Sequence, residues 1–150
     1  MAKPFPLQTL LDLAQESSDA AAAHLGVVNG HDRDMQKRLQ LLLDYRSEYT
    51  ERLASMTRTG THSMDLRNFR EFMDKIDLAI EQQRQLVAAA KAEVETGKIH
   101  WHKQQRKLKS FNTLSQRHRS AELKGEARQE QKDQDDFALR GFLSQRVTLR

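Results

Sequence analysis

The sequence predicts an all-α protein: an antiparallel two-helix coiled-coil hairpin with an overhanging C-terminal helix. Three observations predict it. Leu7, Ala14, Ala21, Val28, Met35, Leu42, Tyr49 and Met56 form an unbroken apolar column at seven-residue spacing. Leu11, Leu25, Leu39 and Leu53, each three residues before a member of that column, add a second line at twice the interval. Together they make an a/d seam, the pattern of a helix that supercoils against another. The third observation is the break TRTGTHSMD, Thr57 to Asp65, which holds a glycine and hydroxyl residues and no heptad.

The first helix is expected over about 7–57. Pro4 and Pro6 suit its entry, and Asp12 and Glu16 favour its N-terminal end. A loop over about 58–64 follows. Gly60 is the candidate left-handed C-terminal cap, and Ser63 or Asp65 the candidate cap of the second helix. The second helix is expected over about 65–140. Its main column is Met73, Ile80, Val87, Val94, Trp101 and Leu108. Its flanking column is Phe69, Ile76, Gln83, Ala90, Gly97, Gln104 and Phe111. Beyond Phe111 the seam is expected to continue through Leu114, His118 and Ala121 and then fade. Residues 122–136 have almost no apolar face, and 141–150 are expected to form a flexible tail.

Counted outward from Gly60, Leu7 should meet the second helix near residue 113. About 25 further helical residues would then overhang. At 1.5 Å per residue the paired rod is about 75 Å long and the overhang about 35 Å. Gly97 falls on the seam, where a missing side chain either lets two helices approach closely or makes a weak point at which the rod bends.

Composition points to contact rather than catalysis. The 150 residues are 37% hydrophobic, 31% charged and 6% aromatic, the vocabulary of long solvated helices. A thin seam leaves no room for a substrate cleft, so no catalytic residue, cofactor site or metal site is assigned. There is no cysteine, hence no disulfide framework and no thiolate metal site. His100 and His102 point to nearly opposite helix faces. His24 and His31 share a face, but at about 10.5 Å of helical rise they stand too far apart to chelate one ion. No phosphate loop, dinucleotide fingerprint or nucleophile elbow occurs. The N-terminal stretch is no secretory signal, and no run approaches the roughly 20 apolar residues that span a bilayer.

The net charge of +4 is unevenly placed. Residues 1–57 carry 6 basic and 8 acidic groups, 58–100 carry 7 and 7, and 101–150 carry 12 and 6. Gly97 to Ala121 contains no acid. Lys98, Lys103, Arg106, Lys107, Lys109, Arg117 and Arg119 could form a solvated face, a docking face for an acidic protein, or phosphate contacts to nucleic acid. Trp101, Leu108 and Phe111 fall on the seam, which favours core over base stacking. A generic coiled-coil scaffold and a basic nucleic-acid-binding hairpin are the alternatives to an assembly adaptor.

Five stretches in order, LQTLLDLAQESSDAAAAHLG, LLLDYRSEY, NFREFMDKIDLAIEQQR, Trp101 to Leu114 and EQKDQDDFALR, resemble the FliJ family of the bacterial flagellar type III export apparatus. The resemblance covers essentially the whole chain. It implies a non-enzymatic stalk that enters the hexameric export ATPase and docks onto the cytoplasmic domain of the export gate. It also implies binding to export chaperones, a need in flagellum assembly, motility and chemotaxis, and a cytoplasmic position peripheral to the inner face of the cell membrane. No nucleic acid and no direct membrane insertion are implied. The family's gate-docking stripe falls on Phe72, Ile76, Ala79 and Gln83. Gln83 departs from the histidine that other members carry, and Ile76 also sits on the flanking seam column, so core and docking surface both remain open for it. The ATPase contact is assigned to Lys103, Arg106, Lys107, Lys109, Arg117, Arg119, Leu123 and Phe137.

Overall fold

A computed structural model describes residues 3–60 and 62–148. Two long helices account for nearly all of them, α1 (Gln8–Thr59) and α2 (Ser63–Thr148), and the described residues contain no strand. α1 begins after Pro4 and Pro6, with the Gln8 amide donating to the Phe5 carbonyl at 3.1 Å. It ends at Gly60, whose φ of 75° lies in the left-handed region that glycine enters without a Cβ penalty. Ser63 is the first residue of α2 rather than its cap, and Asp65 lies in the first turn, where a carboxylate favours the helix dipole. Thr61, inside the expected loop, lies outside the described residues.

The chain divides into two compact units. The larger holds residues 19–103. Its buried positions follow a strict heptad rhythm: Ala21, Val28 and Met35 on α1, and Ile76, Ile80, Gln83, Val87, Ala90 and Val94 on α2. Met35, Val87 and Ala90 form the central cluster, with the half-buried Leu39 packed against it. Numbers rise on one helix as they fall on the other. Leu25 and Val28 lie beside Gly97, Met35 meets Gln83, Arg46 meets Asp77, and Tyr49 meets Phe69 and Phe72. The helix segments of this unit are therefore antiparallel. A Cβ on Gly97 would stand 3.3 Å from Leu25 Cδ1 and 3.4 Å from Val28 Cγ2, so Gly97 is a point of close helix approach.

The smaller unit joins residues 3–18 to 104–148. Ala14, Ser18 and Leu108 are buried, and the Gln105 side-chain amide donates to Ser18 Oγ at 2.8 Å. At its open end the N-terminal strap lies on α2. His118 Nε2 donates to the Lys3 carbonyl at 2.9 Å, and the Phe5 and His118 rings pack with centroids 5.6 Å apart.

Three expectations need correction. Past Phe111 the inward positions are Ser115, His118 and Glu122, while Leu114 and Ala121 are exposed. The four-three rhythm sets the seam there, and the apolar residues have drifted off it. Leu7 is also on the surface, because the chain is only entering α1 at that point. Finally, α2 continues through residues 141–148, which were expected to be a flexible tail. Within that stretch Thr148 Oγ1 donates to the Gln145 carbonyl at 2.9 Å, and the Arg146 guanidinium lies 5.3 Å from the Phe142 ring centroid. Residues 149 and 150 of the expected tail lie outside the described residues.

Candidate functional site: exposed flanks of the paired helices

Between Leu11, Leu25, Leu39 and Leu53 the inward line of α1 carries Ser18, Asp32 and Arg46. Ser18 bonds to Gln105. Arg46 Nε donates to Asp77 Oδ1 at 2.6 Å, with both side chains about half exposed. Asp32 Oδ2 accepts from Gln36, while its buried Oδ1 has no partner. The seam thus alternates leucine with a polar residue. Such layers favour one register at some cost in stability. They supply no catalytic pair, and the described residues hold no group of three metal-ligating side chains.

The four residues of the expected gate-docking stripe separate into two pairs. Ile76 and Gln83 are each only 8% exposed. The Gln83 amide donates to the Met35 carbonyl at 3.0 Å, across the helix pair. Both residues face α1 and have little surface to offer a partner, so the reading of them as docking residues is corrected to seam. The reason is geometric, since they occupy the flanking seam column. Phe72 is 43% exposed and Ala79 half-buried. They stand one heptad apart, on the line beside the seam. One heptad further on is Leu86, exposed and apolar. The signal in the sequence is an apolar residue seven beyond Ala79 on the same helix line. Tyr49 packs edge-on against Phe72 with centroids 4.8 Å apart, which fixes the ring while leaving its outer side to solvent.

The residues assigned to an ATPase contact are all exposed. Lys103 falls in the larger unit, and the others fall in the smaller. Lys103, Arg106, Lys109 and Arg117 occupy the outer heptad positions of α2, with Lys107 and Arg119 at its flanks. None of the six makes an ion pair among the described residues. Arg119 lines a hollow of about 230 Å³ with Lys3, Phe5, Gln8, His118 and Leu123. Leu123 and Phe137 lie two heptads apart on one line of α2, and Phe137 is 80% exposed. From Leu123 to Thr148 every residue is exposed.

Residues 2–146 match the family described as flagellar FliJ protein. The chain belongs to the FliJ family. It is similar to the flagellar FliJ protein of Salmonella typhi, with 32% identity over 143 residues, 95% of this chain and 97% of that one. The FliJ protein of Escherichia coli K12 matches at the same identity and coverage. Among solved structures, a Chlamydia trachomatis protein described as a YscO homologue shares the fold, with a TM-score of 0.60 over 91% of this chain and 93% of that one. At 20% identity this likeness concerns fold alone. Among the described residues no helix is long and apolar enough to cross a membrane.

Proposed function

We propose that this chain is a non-enzymatic stalk and adaptor of flagellar type III protein export, shaped as an antiparallel coiled-coil hairpin with an overhanging C-terminal end. Membership of the FliJ family supports the export role. The observation that carries the stalk reading is the run from Leu123 to Thr148, helical yet exposed throughout. An exposed helical stretch gains nothing from tertiary packing, the main source of helix stability in proteins, so it suits a segment completed by another protein. In this reading the hexameric export ATPase encloses that end. Lys103, Arg106, Lys107, Lys109, Arg117 and Arg119 supply long-range attraction, and Leu123 and Phe137 supply apolar contact.

The second surface is the Phe72, Ala79 and Leu86 line, which docks onto the cytoplasmic domain of the export gate. Export chaperones are the third class of partner. The chain then works in the cytoplasm, held at the inner face of the membrane through the apparatus. The ATPase supplies the chemistry, and this chain biases ring assembly through differential affinity for ring conformations.

The test is the rate of ATP hydrolysis by the export ATPase against added protein, with the full chain beside a chain ending at Lys124. That cut keeps His118 and Glu122, which receive the N-terminal strap. The full chain should stimulate hydrolysis and the shortened chain should not. Equal stimulation by both would remove Phe137 and the rest of residues 125–148 from the ATPase contact.

A further inference from the structure

Beyond the paired region, the four-three rhythm of α2 runs on without a partner helix. Carried past Glu122, it reaches Asp136, Leu139, Leu143 and Arg146 on one face. Leu139 and Leu143 are 57% and 51% exposed, and Phe142 beside them is 56% exposed. The charges on this stretch are sorted. Asp133, Asp135 and Asp136 precede the apolar group, and Arg140 and Arg146 follow or interrupt it. Asp133 and Asp135 accept bonds from Gln129 and Gln131 of their own helix. Asp136 and Arg140 have no partner among the described residues. Arg146 lies over its own Phe142 ring, which holds its charged head on the apolar face.

We infer that this face is a self-association surface, and that its occupant is the same face of a second copy of the chain, run antiparallel about a two-fold axis near residue 141. The charge order selects that occupant and that direction. In an antiparallel pair, Leu139 meets Leu143 of the second copy, and Asp136 meets Arg146 of the second copy. Phe142 meets Phe142 of the second copy at the axis. The Leu139–Leu143 and Asp136–Arg146 contacts each occur twice, as two-fold symmetry requires, while Phe142 meets its copy once at the axis and Arg140, on the opposite flank, meets its own copy at some electrostatic cost. A parallel pair would set Asp136 against Asp136 and Arg146 against Arg146, which is repulsive. The paired stretch, residues 136–146, is only about 15 Å long, so its interface falls short of the about 1,200 Å² at which stable specific interfaces begin, and the dimer is weak and reversible.

The inference goes beyond the stalk reading. Leu123 and Phe137 stand on a different line of α2 from the dimer face, and because the ring encloses the same helix end, the dimer is a form of the chain free of the ATPase. Loss of one surface therefore need not remove the other.

The experiment is sedimentation equilibrium of the full chain over a concentration series at low salt. The parent should show a reversible monomer–dimer equilibrium. Asp136→Arg and Arg146→Asp should each weaken it at least tenfold, because each sets like charges across the axis. An equimolar mixture of the two variants should dimerise like the parent, since each supplies the charge the other lacks. Helix content by circular dichroism should be unchanged in both variants, because Asp136 is exposed and Arg146 touches only the Phe142 ring of its own exposed helix end. A parent that remains monomeric throughout would overturn the inference and leave the face to a different protein. So would single variants that dimerise like the parent, or a mixture that stays monomeric.

Discussion

Asp32 occupies an inward position between Leu25 and Leu39, and half of its carboxylate is spent on nothing. Its buried Oδ1 has no hydrogen-bond partner. Leaving such an acceptor unsatisfied costs about 1–3 kcal/mol, so Asp32→Leu should stabilise the protein by about 1–2 kcal/mol and raise the thermal midpoint. A midpoint at or below the parent's would mean that a water or an alternative rotamer satisfies the oxygen. Gly97 makes the opposite test. Leu25 Cδ1 is the end of a flexible side chain, so Gly97→Ala should be tolerated, its helix propensity gain of about 1 kcal/mol offsetting slight crowding. Gly97→Leu should lose about 1–3 kcal/mol by overpacking, read in the same melts. At Phe72 the expected result is functional. Phe72→Ala should weaken capture of the export gate's cytoplasmic domain and reduce motility, with helix content unchanged. If Ile76→Ala and Phe72→Ala both lower the melting temperature equally and neither alters gate capture, the flank carries no docking.

At the scale of an element, α1 is stabilised by pairing rather than by its own propensity, and its buried apolar residues, Ala14, Ala21, Val28 and Met35, fall on one stripe. Leu39 packs against Met35, Val87 and Ala90, and Leu42 is half-buried one turn further on. Leu39→Ala and Leu42→Ala should each cost about 2 kcal/mol, toward the low end for core leucines because both keep some exposure. Denaturant midpoints unchanged in both variants would show the register to be wrong. The outer stretch of α2 should behave differently. Ending the chain at Lys124 removes only exposed residues, so the midpoint should stay within error of the parent's while the circular dichroism signal drops with the lost helix. A large fall in midpoint would show that residues 125–148 pack against the rest of the chain in solution.

For the whole molecule, charge is the variable that acts at a distance. The net charge is +4, and the excess lies in residues 101–150. Association with an oppositely charged ring should therefore weaken as salt rises from about 50 to 300 mM, mainly through a slower association rate. Surface plasmon resonance at several ionic strengths reads both rates. An association rate indifferent to salt would remove the basic residues from the encounter.

Two long helices, the Gly60 turn and the inward columns around Met35 and Val87 were legible in the sequence, because heptad spacing fixes which residues share a face whatever the partner is. The partner relation was not. Ile76 and Phe72 differ by one turn and are both apolar, yet only packing against α1 decides that one is buried and the other faces solvent. Gln83 reads as a surface residue by composition, and its bond to the Met35 carbonyl exists only where the helices meet. Ser18, Asp32 and Arg46 stand between the leucines of the second line, and a polar side chain carries no mark of burial in the sequence until another helix covers it. Spacing along one helix is a local property that the sequence alone determines. Whether a side chain keeps or loses water depends on residues distant in the chain, and only the tertiary structure decides that.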